Sequence, residues 1–176
     1  DLHVHAPQYS FRGLGMDLEL IDWLNTHTFV EEAKYKEISY AEKAYDIFTE
    51  DLKKSATTRA CIFGTIHNEA TLLLMEKLEK AGIKAYVGKV NMDRNSPENL
   101  CEKNPEEAIR DTEAWIRACE KFEHVKPILT PRFIPSCTDE LMEKLSEVQK
   151  KYQLPMQSHL SENYGEIAWV QELSPD

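Results

Sequence analysis

"TTRACIFGTIHNEATLLLMEKLEKAGIKAYVGKVN", residues 57–91, carries a strand, a helix and a second strand in succession. Its outer runs, residues 57–66 and 84–91, are apolar and of β type. The stretch between them opens at Asn68, a residue suited to an N-cap, and closes at Gly82, suited to the left-handed position just past a helix. A helix of that length between two strands is the crossover that parallel pairing needs. The unit predicts βαβ.

Three further runs of the same kind lie at residues 2–5, 125–133 ("VKPILTPRF") and 155–161 ("PMQSHLS"), and helical patterns fill the intervals. "NPEEAIRDTEAWIRACEKF" has Asn104 as cap, Pro105 at the first helical position and Glu107 completing a capping-box-like pattern. Its Ile109, Thr112, Ile116, Cys119 and Phe122 form one apolar stripe. "DELMEKLSEVQKKY" repeats the scheme with Leu141, Leu145, Val148 and Tyr152. Towards the front, "LELIDWLNTHTF" and "SYAEKAYDIFTEDLKKS" read as helices, the second opening with a Ser39 to Glu42 box, and "GEIAWVQEL" follows the fifth strand.

Five βα units imply an α/β chain with a parallel sheet. A closed (β/α)₈ barrel takes eight strands and about 250 residues, so the expected fold is an incomplete TIM (β/α)₈ barrel of the metal-dependent hydrolase type. Residues 1–176 would then be one partial domain, with strands one to five and the following helix present and strands six to eight missing. A start inside a strand, without an initiating Met, predicts the same for the front end. The alternative is an open doubly wound sheet of five strands, complete at this length. Histidines at the strand ends favour the barrel, whose catalytic residues gather there.

A hydrophobic content of 41% is that of an ordinary globular core. The net charge of −10, from 21 basic and 31 acidic residues, is spread through stretches such as "EEAKYKE". Such a balance argues against nucleic acid or an anionic membrane as partner. No run approaches the roughly 20 apolar residues of a membrane span, and a cytoplasmic protein is expected. Cys61, Cys101, Cys119 and Cys137 show no CxxC pairing, which predicts four reduced thiols.

"DLHVHAPQY" opens the chain with His3 and His5 two residues apart on a strand, where both rings share one face. Arg132 and Phe133 close strand four, and His159 closes strand five. In a barrel these ends meet in one mouth. Three neutral imidazoles converging there form a catalytic zinc site with a position left for water, which lowers the water pKa to about 7. Glu162, three residues after His159, is placed to exchange protons with that water without being a ligand. The bland alternative for an HxH pair is hydrogen bonding to neighbours, and the third His and the Glu weigh against it. His27 and His124 read as surface residues, whereas His67, at the end of strand two, could reach the mouth. "RGLGMD" lacks the third glycine of a dinucleotide loop and reads as a turn. "PSC" at 135–137 continues to Glu140 rather than to the second cysteine of the cytidine-type zinc box.

"DLHVHAPQYSFRGLGMDLELIDWLNTHTF", "VGKVNMDRNSP", "LTPRFIPSCTDELM" and "MQSHLSENYGEIAWV" together resemble the guanine deaminases of the amidohydrolase superfamily, from Asp1 to Asp176. HxH is shared across the superfamily, while "HAPQY", "NMDRNSP", "TPRF" and "QSHLSEN" in this order are more specific. The resemblance implies His3, His5 and His159 as zinc ligands, with iron also compatible. It implies Glu162 as the proton-shuttling glutamate and Gln8, Arg132 and Phe133 as residues that hold the purine, with His5, His159 and Glu162 also facing it. Further metal-site residues, a His closing strand six and an Asp closing strand eight, would fall beyond residue 176, and a flanking β-sandwich built from both ends of the full-length enzyme would be missing. The implied reaction adds water at C2 of guanine and releases ammonia, giving xanthine, with a homodimer at full length and an inactive isolated piece. Arg132 suits the O6 carbonyl, the Gln8 amide can donate and accept along the purine edge, and Phe133 offers an apolar wall. Two alternatives are another zinc amidohydrolase acting on a different aminated or chlorinated heterocycle, and a non-catalytic scaffold on the same barrel.

Overall fold

In the computed structural model, which describes residues 1–175, the strands are β1 (Val4–His5), β2 (Arg59–Phe63), β3 (Lys84–Gly88), β4 (Val90–Asn91), β5 (Val125–Pro127) and β6 (Thr130–Pro131). The α-helices are α1 (Leu20–Trp23), α2 (Phe29–Glu32), α3 (Ile38–Lys54), α4 (Asn68–Lys80), α5 (Pro105–Ala118), α6 (Asp139–Tyr152) and α7 (Tyr164–Leu173). All strand pairs are parallel, with Val4 opposite Ile62, Ala60 opposite Ala85 and Ala85 opposite Val125. The β3–β5 and β4–β6 ladders keep one register, Val87 facing Pro127 and Val90 facing Thr130. Each of the two long runs read from the sequence is thus a single strand broken once. The break in the third follows Gly88, where an added Cβ would fall 1.7 Å from the Thr130 hydroxyl, so only glycine fits.

The fifth strand is reduced to two bridges, Leu129 with Met156 and Phe133 with His159. Between them strand four spends one residue more than strand five, a bulge of the kind that re-aims side chains near functional sites. The strands therefore lie in the order one to five without a reversal. A doubly wound sheet has a point where the order reverses; this sheet has none, and the architecture is a partial (β/α)₈ barrel.

The helices form one outer layer in which α3 packs on α4, α4 on α5 and α5 on α6. Ile62, Ala85, Val87 and Val125 of the sheet bury against Tyr45, Phe48, Leu74, Leu78, Trp115, Leu141 and Leu145 of that layer. Truncating one such leucine to alanine costs about 2–5 kcal/mol. A second cluster, with Leu24, Phe29, Phe63, Val90, Met92, Leu100 and Phe133, sits at the carboxyl ends of the strands. It is the floor on which the site is built.

Local signals account for most boundaries. Gly82 (φ +71°) ends α4 with a double turn, Gly82 N–H donating to Glu79 O at 3.0 Å and Ile83 N–H to Leu78 O at 3.1 Å. Asn104 accepts from Glu107 N–H at 2.8 Å with Pro105 in the first turn. Two expectations need correction. α3 begins at Ile38 behind Glu37 and no side chain caps it, so Ser39 and Glu42 lie inside the helix and make no box. Asn68 is already helical behind His67, and its amide reaches Asp111 O at 2.9 Å, tying α4 to α5. All four cysteines are free thiols. Among the described residues no helix is long and apolar enough to cross a membrane.

Candidate metal centre

Asp1 carboxylate accepts from His3 N–H at 3.0 Å and its backbone oxygen accepts from Cys61 N–H at 2.9 Å, so the first residues run alongside β2. Pro7, in the short helical turn Ala6–Phe11, stops β1 straight after His5. His3 and His5 are thereby left at a strand end, opposite the bulge that carries His159. One ligand nitrogen from each of the three lies within 4.8 Å of the other two, and His5 Nε2 is 2.9 Å from His159 Nε2. Two nitrogens on one tetrahedral zinc at 2.0–2.1 Å stand about 3.3 Å apart, so His5 and His159 are already near the spacing of two ligands of one ion, with His3 within 4.8 Å of both.

The donor chemistry fits as well. His159 Nδ1 lies 2.7 Å from Arg132 O, which can only accept, so Nδ1 carries the proton and Nε2 presents its lone pair. Gln8 Nε2 lies 3.0 Å from His5 Nδ1 and 3.3 Å from Glu32 Oε1, so one amide group meets both the ring and the carboxylate. Burial first, then the Arg132 charge, holds His5 well below the ordinary histidine range. Burial likewise leads the lowering of His159 to about 4, with Arg132 and His3 adding to it against the pull of its own backbone hydrogen bond. Both shifts favour the neutral ring that a metal ligand must present.

Phe63, fully buried at the end of β2, stacks on His5 at 4.4 Å and packs against His159 at 4.5 Å and His3 at 4.9 Å. One ring thus supports all three imidazoles. A cleft of about 410 Å³, within the usual range for small-molecule sites, is lined by His3, His5, Gln8, Arg132, Phe133, His159 and Glu162. Every site residue read from the sequence faces this one space. Phe11, Leu20, Trp23 and Leu24 form its apolar side, carried there by the "RGLGMD" turn with Gly13 and Gly15 at positive φ.

Glu162 stands at the accessible rim of the cleft. Partial burial and then the Glu166 carboxylate raise its pKa above the ordinary carboxylate value, while His3 and Arg132 pull the other way. Glu166 is 1% exposed and accepts from Ser161 N–H at 3.1 Å and Glu162 N–H at 2.6 Å, holding the backbone on which Glu162 sits. Its spacing from Asn163, which caps α7 by accepting from Glu166 N–H at 2.8 Å, is a capping-box signal legible in "NYGE".

Arg132 is 2% exposed and both its terminal nitrogens are engaged by Glu32, at 2.6 and 3.2 Å. Sequence reasoning missed Glu32 and Phe63. Glu32 lies in a run of alternating charge that reads as a solvated helix face, and Phe63 in a strand where any apolar residue packs. The remaining histidines divide differently from the reading. His124 is exposed and meets Glu79 at 3.0 Å. His27 is half-buried, its ring against Gly15 and its Nδ1 meeting the Thr26 hydroxyl at 2.8 Å. His67 is half-buried and does not line the cleft; burial, then Lys36 and Lys89, lowers its pKa.

A guanine deaminase of Rattus norvegicus is 43% identical over 177 residues, which cover 99% of this chain and 39% of that protein. The crystal structure of a guanine deaminase from C. acetobutylicum with guanine bound in the active site superposes with a TM-score of 0.96 at 52% identity, over 99% of this chain and 42% of that one. E. coli guanine deaminase superposes at 0.91 with 34% identity, over 100% and 40%. The chain thus spans about two fifths of the length of the relatives it matches. The profile of the amidohydrolase family aligns with residues 1–175. Since the match runs over residues 1–175 rather than a single motif, the chain belongs to the amidohydrolase family.

Proposed function

We propose that this chain is part of a guanine deaminase, contributing three metal ligands, the proton-transfer group and the purine-holding side chains. The observation that carries the reading is the convergence of His3, His5, His159 and Glu162 with Gln8, Arg132 and Phe133 on one cleft. The likeness at 52% identity to a structure with guanine bound supports that choice of substrate.

His3, His5 and His159 would hold a divalent ion, zinc by ligand type with iron compatible. When bound, it supplies the acidification that makes water a nucleophile near neutral pH. Glu162 takes a proton from the water that adds to C2 of guanine and delivers it to ring N3. A carboxyl with a raised pKa is suited to both halves of that transfer. The C2–N bond then breaks, and Glu162 assists proton delivery to the departing amine. Water is consumed and xanthine and ammonia are formed. Two of the five guanidinium N–H groups of Arg132 are committed to Glu32, which leaves donors for the O6 carbonyl. Gln8 reads the ring edge, and Phe133, edge-on to Trp169 at 6.2 Å, closes one wall.

On this reading the enzyme is cytoplasmic and a homodimer at full length, taking a free base rather than nucleic acid or a membrane. The test is metal analysis of a full-length protein carrying these residues, with ammonia release from guanine, adenine, cytosine and melamine. Preferred release from guanine, with one equivalent of metal, is expected. Metal-loaded protein that leaves guanine untouched, or prefers melamine, overturns the assignment.

A further inference from the structure

Glu32 is 1% exposed, at the last residue of α2, in a site whose chemistry as described makes no use of it. Its Oε2 accepts from Arg132 at 2.6 Å; its Oε1 accepts from Arg132 at 3.2 Å and from the Gln8 amide at 3.3 Å. One carboxylate therefore holds both side chains that the proposed function assigns to the purine edge. Both side chains are also tied to the histidines: Gln8 meets His5, and His159 Nδ1–H donates to the backbone oxygen of Arg132. On its other side the Arg132 guanidinium lies 5.2 Å from the Phe29 ring centroid. Arg132 has no freedom to swing.

A buried ion pair is weak as a source of stability, because desolvating both charges offsets most of their attraction. What such a pair does well is fix direction. With two N–H groups spent on Glu32, the donors of Arg132 that remain are those on the edge turned from it, and the same carboxylate orients the Gln8 amide. Resting on the function proposed above, we infer that Glu32 is a positioning residue that aims Arg132 and Gln8 and so sets selection for a base bearing an oxygen at C6.

The test uses a full-length protein with Glu32→Gln, which keeps the shape and removes the charge. KM and kcat are measured for guanine, and inhibition constants for hypoxanthine, which keeps O6, and for purine, which lacks it. The expected result is a KM raised about tenfold or more with kcat less affected, a hypoxanthine constant weakened by a similar factor, a purine constant within about twofold of the parent, and unchanged metal content. Equal weakening of hypoxanthine and purine, or metal loss as the main effect, overturns the inference. Should Glu32→Gln fail to fold, Arg132→Met and Arg132→Met with Glu32→Gln are compared, since the pair removes both buried charges together. Any further loss of hypoxanthine binding in the double variant is expected to be confined to the part carried through Gln8, smaller than that of Arg132→Met itself, and a full additional loss overturns the inference. A parent that does not deaminate guanine instead sinks the functional reading itself.

Discussion

Glu162 is the residue on which the proposed chemistry turns, and the structure shows why a rim position can serve it. Its backbone N–H and that of Ser161 are both held by the buried Glu166 carboxylate, so the side chain springs from a fixed point although its end is accessible. Ser161 adopts a φ of +55°, a left-handed conformation that the Glu166 contacts keep in place. Because Glu162 is not among the three residues grouped so that they could hold a metal, replacing it should separate metal retention from turnover. Glu162→Gln is expected to keep full metal content and to lose about 10²- to 10⁴-fold in kcat, the range for a removed general acid–base. Metal analysis and ammonia release on one preparation check this, and near-parental release would remove Glu162 from the mechanism. Residue-scale legibility followed chemistry. Residues whose type announces a role, the histidines, Glu162 and Arg132, stood out in the chain. Glu32 and Phe63 act by where they are buried, and a Glu among lysines or a Phe in a strand carries no such mark.

At the scale of elements, capping chemistry was legible where it is strictly local and failed where tertiary packing took over. Asn104 followed by Pro105, and Gly82 after α4, need nothing beyond their neighbours. Ser39 could not cap because the apolar stripe of α3, with Ala41, Tyr45 and Phe48 buried, draws the helix start back to Ile38. Strand five was legible as a run but not as two bridges around a bulge, since the register of a strand is decided by its partner. The C-terminal end of α4 adds a device that no pattern exposed. Glu79 accepts from the backbone N–H groups of Glu123, His124 and Val125 at 3.2, 2.9 and 3.0 Å, tying the helix to the start of β5. Burial opposes its ionisation, but the His124 ring and these N–H groups outweigh that and lower the Glu79 pKa to about 2. A carboxyl depressed on folding stabilises above its unfolded value of 4.5, and that contribution disappears as pH falls from 4.5 towards 2. Glu79→Gln is expected to cost about 1–2 kcal/mol near neutral pH, the full shift being discounted for solvent screening. The gap between parent and variant in urea denaturation should narrow as the pH is lowered to about 3. A gap that is the same at both pH values would show that Glu79 acts through packing instead.

For the whole molecule, the deciding fact is that five parallel strands lie in sequential order with the outer helix layer, α3 to α6, against one face. Among the described residues the other face is covered only near the carboxyl ends of the strands. On β3, Ala85 and Val87 turn to the helices, whereas Tyr86 turns to the inner face and is 44% exposed, beside the exposed Lys84 and Lys126. Parallel sheets are found almost only with both faces covered. The edges matter as much, for among the described residues β1 pairs on one side only and strand five is held by two bridges. An unpaired parallel edge is a template for another chain. The sheet order that marks the barrel thus also says that these 176 residues, produced alone, present surfaces that seek a partner. Such a chain is expected to self-associate, with broad elution by size and little cooperative unfolding, to hold metal weakly and to release no ammonia from guanine. Analytical ultracentrifugation with metal titration and the ammonia assay check this. A monodisperse monomer that unfolds in one step and turns over guanine would mean that the inner face and both edges are self-sufficient, and that three imidazoles and one carboxylate suffice for the chemistry.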